Sequence, residues 1–466
     1  MKRPKTPELP LLTALSALLH FWHLFTPNAV VFDEMHYKHF AGHYLDGTHY
    51  FDVHPPFVKL LYAAVAWLAG VPANTMLGPA PVTILRVIPA FCGTLFVPLA
   101  YIILRQLGAS RRVATLAGVA VLCENALLVD TRFALIEPIM ICAALGAMSL
   151  YLAARRRNGL QRWALLAAST LLAGLAMTSK WTGASGLAVV LAAWAYDMWR
   201  ESRRVPRIVG EGALLVAIPV AVYVATFAIH FALLRRTGVD QSFMSIAFRR
   251  TLIGGPQYDS TARMSLWAKL RDVHRAIRIG NRQLEYVTHP ASSPWYTWPI
   301  MKHPIGMWEN DAVASGRKQM IILLGNPVVW WGALLGTLAA LAALARMARR
   351  KLTTPEQRYG LGFLAGAFAI NYVPFMFIWR LMYLYHYLFA LLVLVLLAAF
   401  AVGTVAGWNE GGDDMLLRFS SRRSRRAYLA IVALIVIGFL YFLPFTYGWP
   451  LSQRAYDQRF WVLHPL

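Results

Sequence analysis

The chain has 466 residues, of which 58% are hydrophobic and only 14% charged, with a formal net charge of +23. That apolar share excludes a water-soluble globular domain of this size. Repeated apolar runs of about 18 residues or more point instead to membrane-spanning helices, whose backbone must satisfy itself within the hydrocarbon. The basic surplus does not signify nucleic acid: Lys and Arg sit in short clusters between apolar runs, where they set topology, and no nucleic-acid motif accompanies them.

In chain order the apolar runs are 9–26, 57–70, 82–104, 113–129, 133–154, 163–180, 182–199, 212–234, 321–345, 359–378, 383–407 and 427–446. The start places Lys2, Arg3 and Lys5 before an apolar core, like a signal peptide, but lacks a small-x-small cleavage site; an uncleaved first span is expected. Cys92, Cys123 and Cys142 all fall in apolar runs and imply neither a disulfide framework nor a metal site. The run 57–70 has 14 residues, whereas a spanning helix needs about 20. Charge decides its place. If it spans, the clusters Arg105/Arg111/Arg112, 155–157, 200–207, 346–351 and 418–426 all fall outside; if it lies along the outer interface, all are cytoplasmic, as positive charge prefers. The expected fold is therefore an all-α polytopic protein of the plasma (inner) membrane. It has about eleven transmembrane helices, juxtamembrane helices in the first external loop, a cytoplasmic N-terminus and an external C-terminus.

Three parts follow: a catalytic transmembrane module 1–234 with a first external loop 27–81, an external loop 235–320, and a C-terminal module 321–466 with an external tail. The loop 235–320 is too long to be a mere connector. Within it, Trp267, Leu270, His274 and Ile277 share one helical face, and Lys269, Arg271, Arg275, Arg278 and Arg282 occupy the others. That suits a basic amphipathic helix on a membrane surface, or equally a solvated charged helix.

Polar residues that topology does not explain gather on the external face and are functional candidates. Asp33-Glu34 follows the first span. One carboxylate against a hydroxyl can act as general base; adjacent acids cannot face the same way on a helix, so the other would bind a neighbouring group. The plain alternative is a surface acidic pair. His36, His39 and His43 share a helix face and could be considered as metal ligands, but interfacial hydrogen bonding is favoured because no second ligand set matches them. His54-Pro55-Pro56 opens a short helix bearing Lys59, an arrangement that suits a phosphate or simply a rigid turn with a snorkelling lysine. Arg132 is the best single phosphate ligand, its guanidinium offering a planar fork of donors; a salt bridge to Glu124 or Glu137 is the competing role. Lys180 and Arg380 stand at other external helix ends. The stretch 288–299, rich in aromatics and proline, offers flat surfaces for a sugar or a lipid headgroup.

These residues converge on a resemblance. Phe32-Asp33-Glu34-x-His36, followed by Tyr50-Phe51-Asp52-Val53-His54-Pro55-Pro56-x-x-Lys59, resembles the first external loop of the protein O-mannosyltransferases. Glu124-Asn125 leading to Thr131-Arg132-Phe133, then Ser179-Lys180-Trp181 and His289-Pro290-x-Ser292-Ser293-Pro294-Trp295-Tyr296-x-Trp298-Pro299, agree in the right order. Gly325-Asn326-Pro327-Val328-x-Trp330-Trp331 and Arg380-x-x-Tyr383-x-Tyr385-His386-Tyr387 complete a set that covers nearly the whole chain. It departs from the family pattern in Phe57-Val58, where Leu-Gly is usual, in Glu137, where Asp is commoner, in His39, where Lys is usual, and in having no soluble domain within 235–320.

The resemblance implies a GT-C-type integral-membrane glycosyltransferase, of the bacterial type, that moves mannose from a polyprenyl- or dolichyl-phosphate carrier to Ser or Thr hydroxyls of exported proteins. Carried onto this chain, Asp33 is the general base and Glu34 its substrate-binding neighbour. Arg132 belongs to the same external site, joined by His54, Lys59 and Lys180. The expected mechanism is an inverting single displacement in which positive charge around the leaving phosphate, from Arg132 and also Lys59, Lys180 or Arg380, makes a metal or other cofactor unnecessary. The lipid-phosphate sugar is the donor substrate, and membrane lipids surround the chain. The alternatives are transfer of another sugar, such as an aminopentose, to a lipid or polysaccharide, and a transporter. Clustering of the polar residues at one face, without a repeat, argues against the last.

Overall fold

The computed structural model describes residues 6–200, 205–310, 316–348, 354–409, 416 and 418–460. Apolar runs become helices because only a helix closes all its backbone hydrogen bonds within one segment. Helix α1 (Glu8–Phe21) leads into the first loop, which carries α2 (Glu34–Asp46), α3 (Phe57–Leu68) and α4 (Ala73–Leu77). There follow α5 (Val87–Gln106), α6 (Arg111–Leu122), α7 (Asn125–Asp130), α8 (Glu137–Arg155), α9 (Gly159–Ser179), α10 (Ala184–Arg200) and α11 (Val205–Leu233). The long loop holds α12 (Ile246–Arg249), α13 (Leu266–Gln283) and β1 (Ile305–Glu309), with β2 (Arg317–Lys318) and β3 (Met320–Leu323) leading to α14 (Pro327–Ala348). The chain ends with α15 (Pro355–Tyr372), α16 (Leu388–Val405), α17 (Arg422–Tyr447), β4 (Leu451–Ser452) and α18 (Gln453–Asp457). Helices α8 and α16 are buried along most of their lengths and form the centre of the bundle.

Among the described residues, seven helical stretches are long and apolar enough to cross a bilayer: 83–106, 137–155, 159–179, 205–233, 355–377, 384–405 and 422–447. The other expected spans fall on α1, on the broken pair α6–α7, on α10 and on α14. The 12 residues of α3 extend only about 18 Å at 1.5 Å per residue, too short to cross roughly 30 Å of hydrocarbon. The break between α6 and α7 is local chemistry: Glu124 turns its carboxylate onto the Leu127 amide at 2.8 Å, capping a new helix. The other Glu124 oxygen accepts from the Asn326 amide at 2.8 Å, and the Asn326 side chain donates to the carbonyls of Cys123 and Ile435. Gly325 permits this approach, since a Cβ there would run into Trp330 and lie 2.6 Å from Glu124.

Two ends of the bundle differ in chemistry. At one, Arg111 pairs with Glu8, Arg155 with Asp197, and Arg162 and Arg207 with Glu211. These contacts collect the N-terminus of α1, the α5–α6 and α8–α9 turns, and the facing ends of α10 and α11. The first loop, the loop before α14 and the segment between α15 and α16 lie at the other.

Two expectations need correction. Helix α13 is amphipathic, but its Leu270, Val273, Ala276 and Ile277 are buried in one cluster with Phe227, Phe231 and Phe248. Its apolar face covers protein rather than a membrane surface. Trp267, expected on that face, is 65% exposed, and His274 bonds the Tyr223 hydroxyl at 2.7 Å. The second concerns the span expected from 321, beside which two short strand pairs accompany the helices: β1 pairs antiparallel with β3, Ile305 opposite Leu323, and β2 pairs with β4. The span expected from 321 accordingly begins as a strand, and its helix starts only at Pro327.

Candidate active site

Asp33 stands at the start of α2, after Phe32 in the left-handed region at φ 48°. That conformation is sparsely populated for a residue with a side chain and persists only when neighbours hold it. Glu34 supplies the hold. Its Oε1 accepts from Arg86 Nε at 2.8 Å and the Ala134 amide at 2.9 Å; its Oε2 accepts from Arg86 Nη2 at 2.8 Å and the Val31 amide at 2.9 Å. Arg86 also donates to the carbonyls of Leu24, Pro27 and Ala29. Glu34 is thus committed to the protein on every side. Asp33 is the opposite case, half-buried, and among the described residues its carboxylate accepts no hydrogen bond and forms no ion pair. Burial raises the Asp33 carboxyl above its ordinary value; Glu137 adds to the rise, while His36, Lys180 and His289 oppose it.

The end of the same loop is built on a second pair. Lys59 Nζ lies 2.5 Å from Asp52 and donates to the His54 carbonyl at 2.6 Å, with the rings of Phe40 and Tyr50 beneath it. At 2% exposure Lys59 is no snorkelling lysine. Burial works to raise the Asp52 carboxyl, but Lys59 and His54 win and hold it below its ordinary value. Burial, with Lys180, Arg380 and Lys59 nearby, pushes His54 down to about 3 against the pull of Asp52, so its imidazole is neutral. Helix α13 buttresses this segment: a Cβ on Gly280 would meet Val53 at 3.0 Å.

A third pair comes from the bundle. Glu137 opens α8 and Lys180 ends α9, joined at 2.6 Å, and Lys180 lies 3.4 Å from His386 Nε2 and over the Tyr385 ring. Arg380, on the segment between α15 and α16, hydrogen-bonds Asn281 of α13, and burial lowers its guanidinium. Beside it runs a series of rings: His289 against Tyr383, Tyr383 stacked on Tyr385, Tyr385 on His386, and His386 on Trp298. Phe32 meets the same wall edge-on at Tyr385, 6.2 Å between centroids. Asp33, His54, Lys59, Lys180 and Arg380 are therefore brought to one place, which remains open where His36 and His289 are exposed.

Arg132 is not brought there. It is fully buried, donating to the carbonyls of Thr446 at 2.9 Å and His23 at 2.8 Å, with its guanidinium over the Tyr447 ring. It pairs with neither Glu124 nor Glu137, whose partners are backbone amides and Lys180. The row His36, His39, His43 stays on α2, where His36 stacks on Phe40 and His43 bonds Thr48 at 2.8 Å. Asp130 is buried beside Glu137 and Lys180, with both carboxylate oxygens lacking a hydrogen-bond partner.

Arg86 was missed by sequence reasoning. Its signal was available, an arginine inside the apolar run 82–104, where a charge demands a partner. Asp52 and the ring wall were legible only as letters in motifs, because pairing and stacking arise between segments distant in the chain.

Residues 10–235 match the family described as Dolichyl-phosphate-mannose-protein mannosyltransferase, and residues 266–464 match the C-terminal four TMM region of protein-O-mannosyltransferase. Protein O-mannosyltransferase 1 of Drosophila pseudoobscura pseudoobscura is 35% identical over 260 residues, covering 52% of this chain and 28% of that protein. Dolichyl-phosphate-mannose--protein mannosyltransferase 1 of Saccharomyces cerevisiae is 32% identical over 260 residues, covering 52% of this chain and 32% of that protein. The matched stretch spans about a third of the length of these curated relatives. Among solved structures, the S. cerevisiae protein O-mannosyltransferase Pmt1-Pmt2 complex bound to the sugar donor superposes with a TM-score of 0.87 at 18% identity, over 100% of this chain and 93% of that one. ArnT from Cupriavidus metallidurans bound to undecaprenyl phosphate gives 0.53 at 16% identity, over 94% and 76%. The fold is the GT-C-type membrane glycosyltransferase fold, and with both family regions matched in order the chain belongs to the protein O-mannosyltransferase family.

Proposed function

We propose that this protein transfers mannose from a polyprenyl-phosphate carrier to Ser or Thr hydroxyls of exported proteins, with inversion and without a metal or other cofactor. The observation that carries the reading is the Asp33 carboxylate, left without a hydrogen-bond or ion-pair partner among the described residues, beside a group of cationic and neutral donors. An acceptor hydroxyl placed against Asp33 gives up its proton to the carboxylate as its oxygen attacks the anomeric carbon. The bond from that carbon to the phosphate breaks, and the lipid phosphate leaves with the electron pair. Fixed charge aimed at the leaving group stabilises it in the transition state. Lys59 and Lys180 already share their charge with Asp52 and Glu137. Arg380, bonded to the neutral Asn281, is the cation best placed to hold the phosphate, with neutral His54 as a hydrogen-bonding partner. The rings of His289, Tyr383 and Tyr385 offer the flat faces that sugars stack upon. The names of the relatives support the donor and the acceptor class.

The proposed orientation puts this end outside and the N-terminus in the cytoplasm. The basic helix ends gather at the far end of the bundle, which fits the preference of positive charge for the inside.

The test is incubation of the purified protein with polyprenyl-phosphate-mannose and a Ser/Thr-rich peptide from an exported protein. Mass spectrometry should show a gain of one hexose on the peptide, absent with Asp33→Asn. A hexose gained by lipid acceptors and not by peptides would replace the proposed acceptor with a lipid.

A further inference from the structure

Between α10 and α15 runs a groove of about 590 Å³. Its walls are mostly apolar: Ala192 and Ala193 from one helix face Gly362, Gly366 and Ala367 from the other, beside the larger Phe363 and Ile370. A Cβ on Gly362 or Gly366 would meet nothing within 4 Å, so these glycines leave room rather than seat a neighbouring helix of this chain. At the basic end of the bundle the groove continues into a recess of about 480 Å³; Arg200, Pro355 and Tyr359 line both spaces. Arg155 and Arg156 line the recess, and Arg358 lines the groove.

The charges of this recess are unequal in their commitments. Arg155 is taken up by Asp197 and lies over the Tyr359 ring at 3.6 Å, and Arg156 donates to the Gln106 carbonyl at 2.6 Å. Among the described residues, the side chains of Arg200 and Arg358 make no hydrogen bond or ion pair. Glu356 is the single carboxylate among the described lining residues, against Arg155, Arg156 and Arg200. Tyr196 and Trp199 are exposed near the same end of α10, where aromatic side chains mark a membrane–water boundary.

We propose that this groove binds an anionic glycerophospholipid, with acyl chain along Gly362 and Gly366 and phosphate against Arg200 and Arg358. Basic recesses between membrane helices select such headgroups, and the apolar slot beneath supplies what an isolated phosphate cannot use. A second copy of the chain is the weaker occupant: a symmetric contact through this face would bring the same arginines toward each other. The site lies at the opposite end of the bundle from Asp33 and rests only on the chain spanning a bilayer.

Native mass spectrometry of the full chain in detergent, titrated with phosphatidylglycerol or phosphatidylcholine, tests this. Phosphatidylglycerol should be retained preferentially and not be displaced by inorganic phosphate. Arg200→Ala with Arg358→Ala should weaken its binding about thirtyfold, each arginine near a headgroup being worth roughly fivefold. Gly362→Leu with Gly366→Leu should abolish retention with both arginines in place. A photoactivatable phosphatidylglycerol on the wild-type protein should label 184–200 or 355–372, which tests the site even if a variant misfolds. Equal retention of both lipids, unchanged binding in folded variants, displacement by phosphate, labelling elsewhere, or a dimer that the leucine variant converts to monomer would each overturn the proposal.

Discussion

The Arg86 guanidinium holds the Glu34 carboxylate by two parallel hydrogen bonds of 2.8 Å, and this buried pair ties the first loop to the turn before α5. Removing one partner of a buried pair strands the other charge, at a cost of about 3–5 kcal/mol. Glu34→Ala and Arg86→Ala should therefore lower the unfolding temperature by similar amounts, and folded yield with it. A Glu34→Ala protein of wild-type thermal stability but poor donor binding would return Glu34 to the substrate.

Asp33 should behave in the reverse way. Its carboxyl is raised by burial, so the folded state holds the proton more tightly than the unfolded chain does. Its contribution to stability is then greatest below the ordinary carboxylate range and declines as pH rises through the raised value, leaving a cost at neutral pH. Asp33→Asn removes that cost. It should unfold at the wild-type temperature or above while kcat falls roughly a hundredfold to ten-thousandfold, the range for losing a general base. Thermal melts and initial rates on one preparation check both halves.

In the proposed mechanism the acid limb of the rate profile follows from the same carboxylate, which would act as base only when ionised. Glu137 raises Asp33 and Lys180 lowers it. Glu137→Gln should move the acid limb of kcat/KM to lower pH, and Lys180→Met should move it to higher pH. Movement in the same direction for both would remove Asp33 as the titrating group.

Arg132 spans three segments through the carbonyls of Trp22, His23 and Thr446. Hydrogen bonds to a charged group are worth about 1.5–3 kcal/mol, so Arg132→Ala should destabilise the fold by at least that amount. KM for the lipid donor in the folded fraction should stay near the wild-type value, whereas Arg380→Ala should raise it with little loss of stability. The opposite split would move the phosphate to Arg132.

Much of the fold was legible because lipid leaves the backbone few options: apolar length gave the long helices, and the shortness of 57–70 marked α3 as something other than a span. What failed was partnership. The periodicity of 267–282 found a helix but not what covers its apolar face, since Phe227 and Phe248 come from other parts of the chain. Asp33 was found as a candidate from its neighbours in sequence. Its contrast with Glu34 was not, because the two are adjacent letters of one type, and only Arg86 and the Ala134 amide distinguish them. The surroundings of Arg132 were hidden for a related reason: a guanidinium suits backbone carbonyls as well as phosphate, and sequence does not say that the carbonyls of Trp22, His23 and Thr446 lie beside it.

The wall of rings joins His289 and Trp298, which precede α14, to Tyr383–His386, which precede α16, whereas Asp33, Asp52 and Lys180 belong to the first 180 residues. Synthesis runs from the N-terminus, so the carboxylate side emerges well before the surface it faces. A nascent chain holds the Asp33 carboxylate without the rings that complete its surroundings, and the two halves meet only when the last helices arrive.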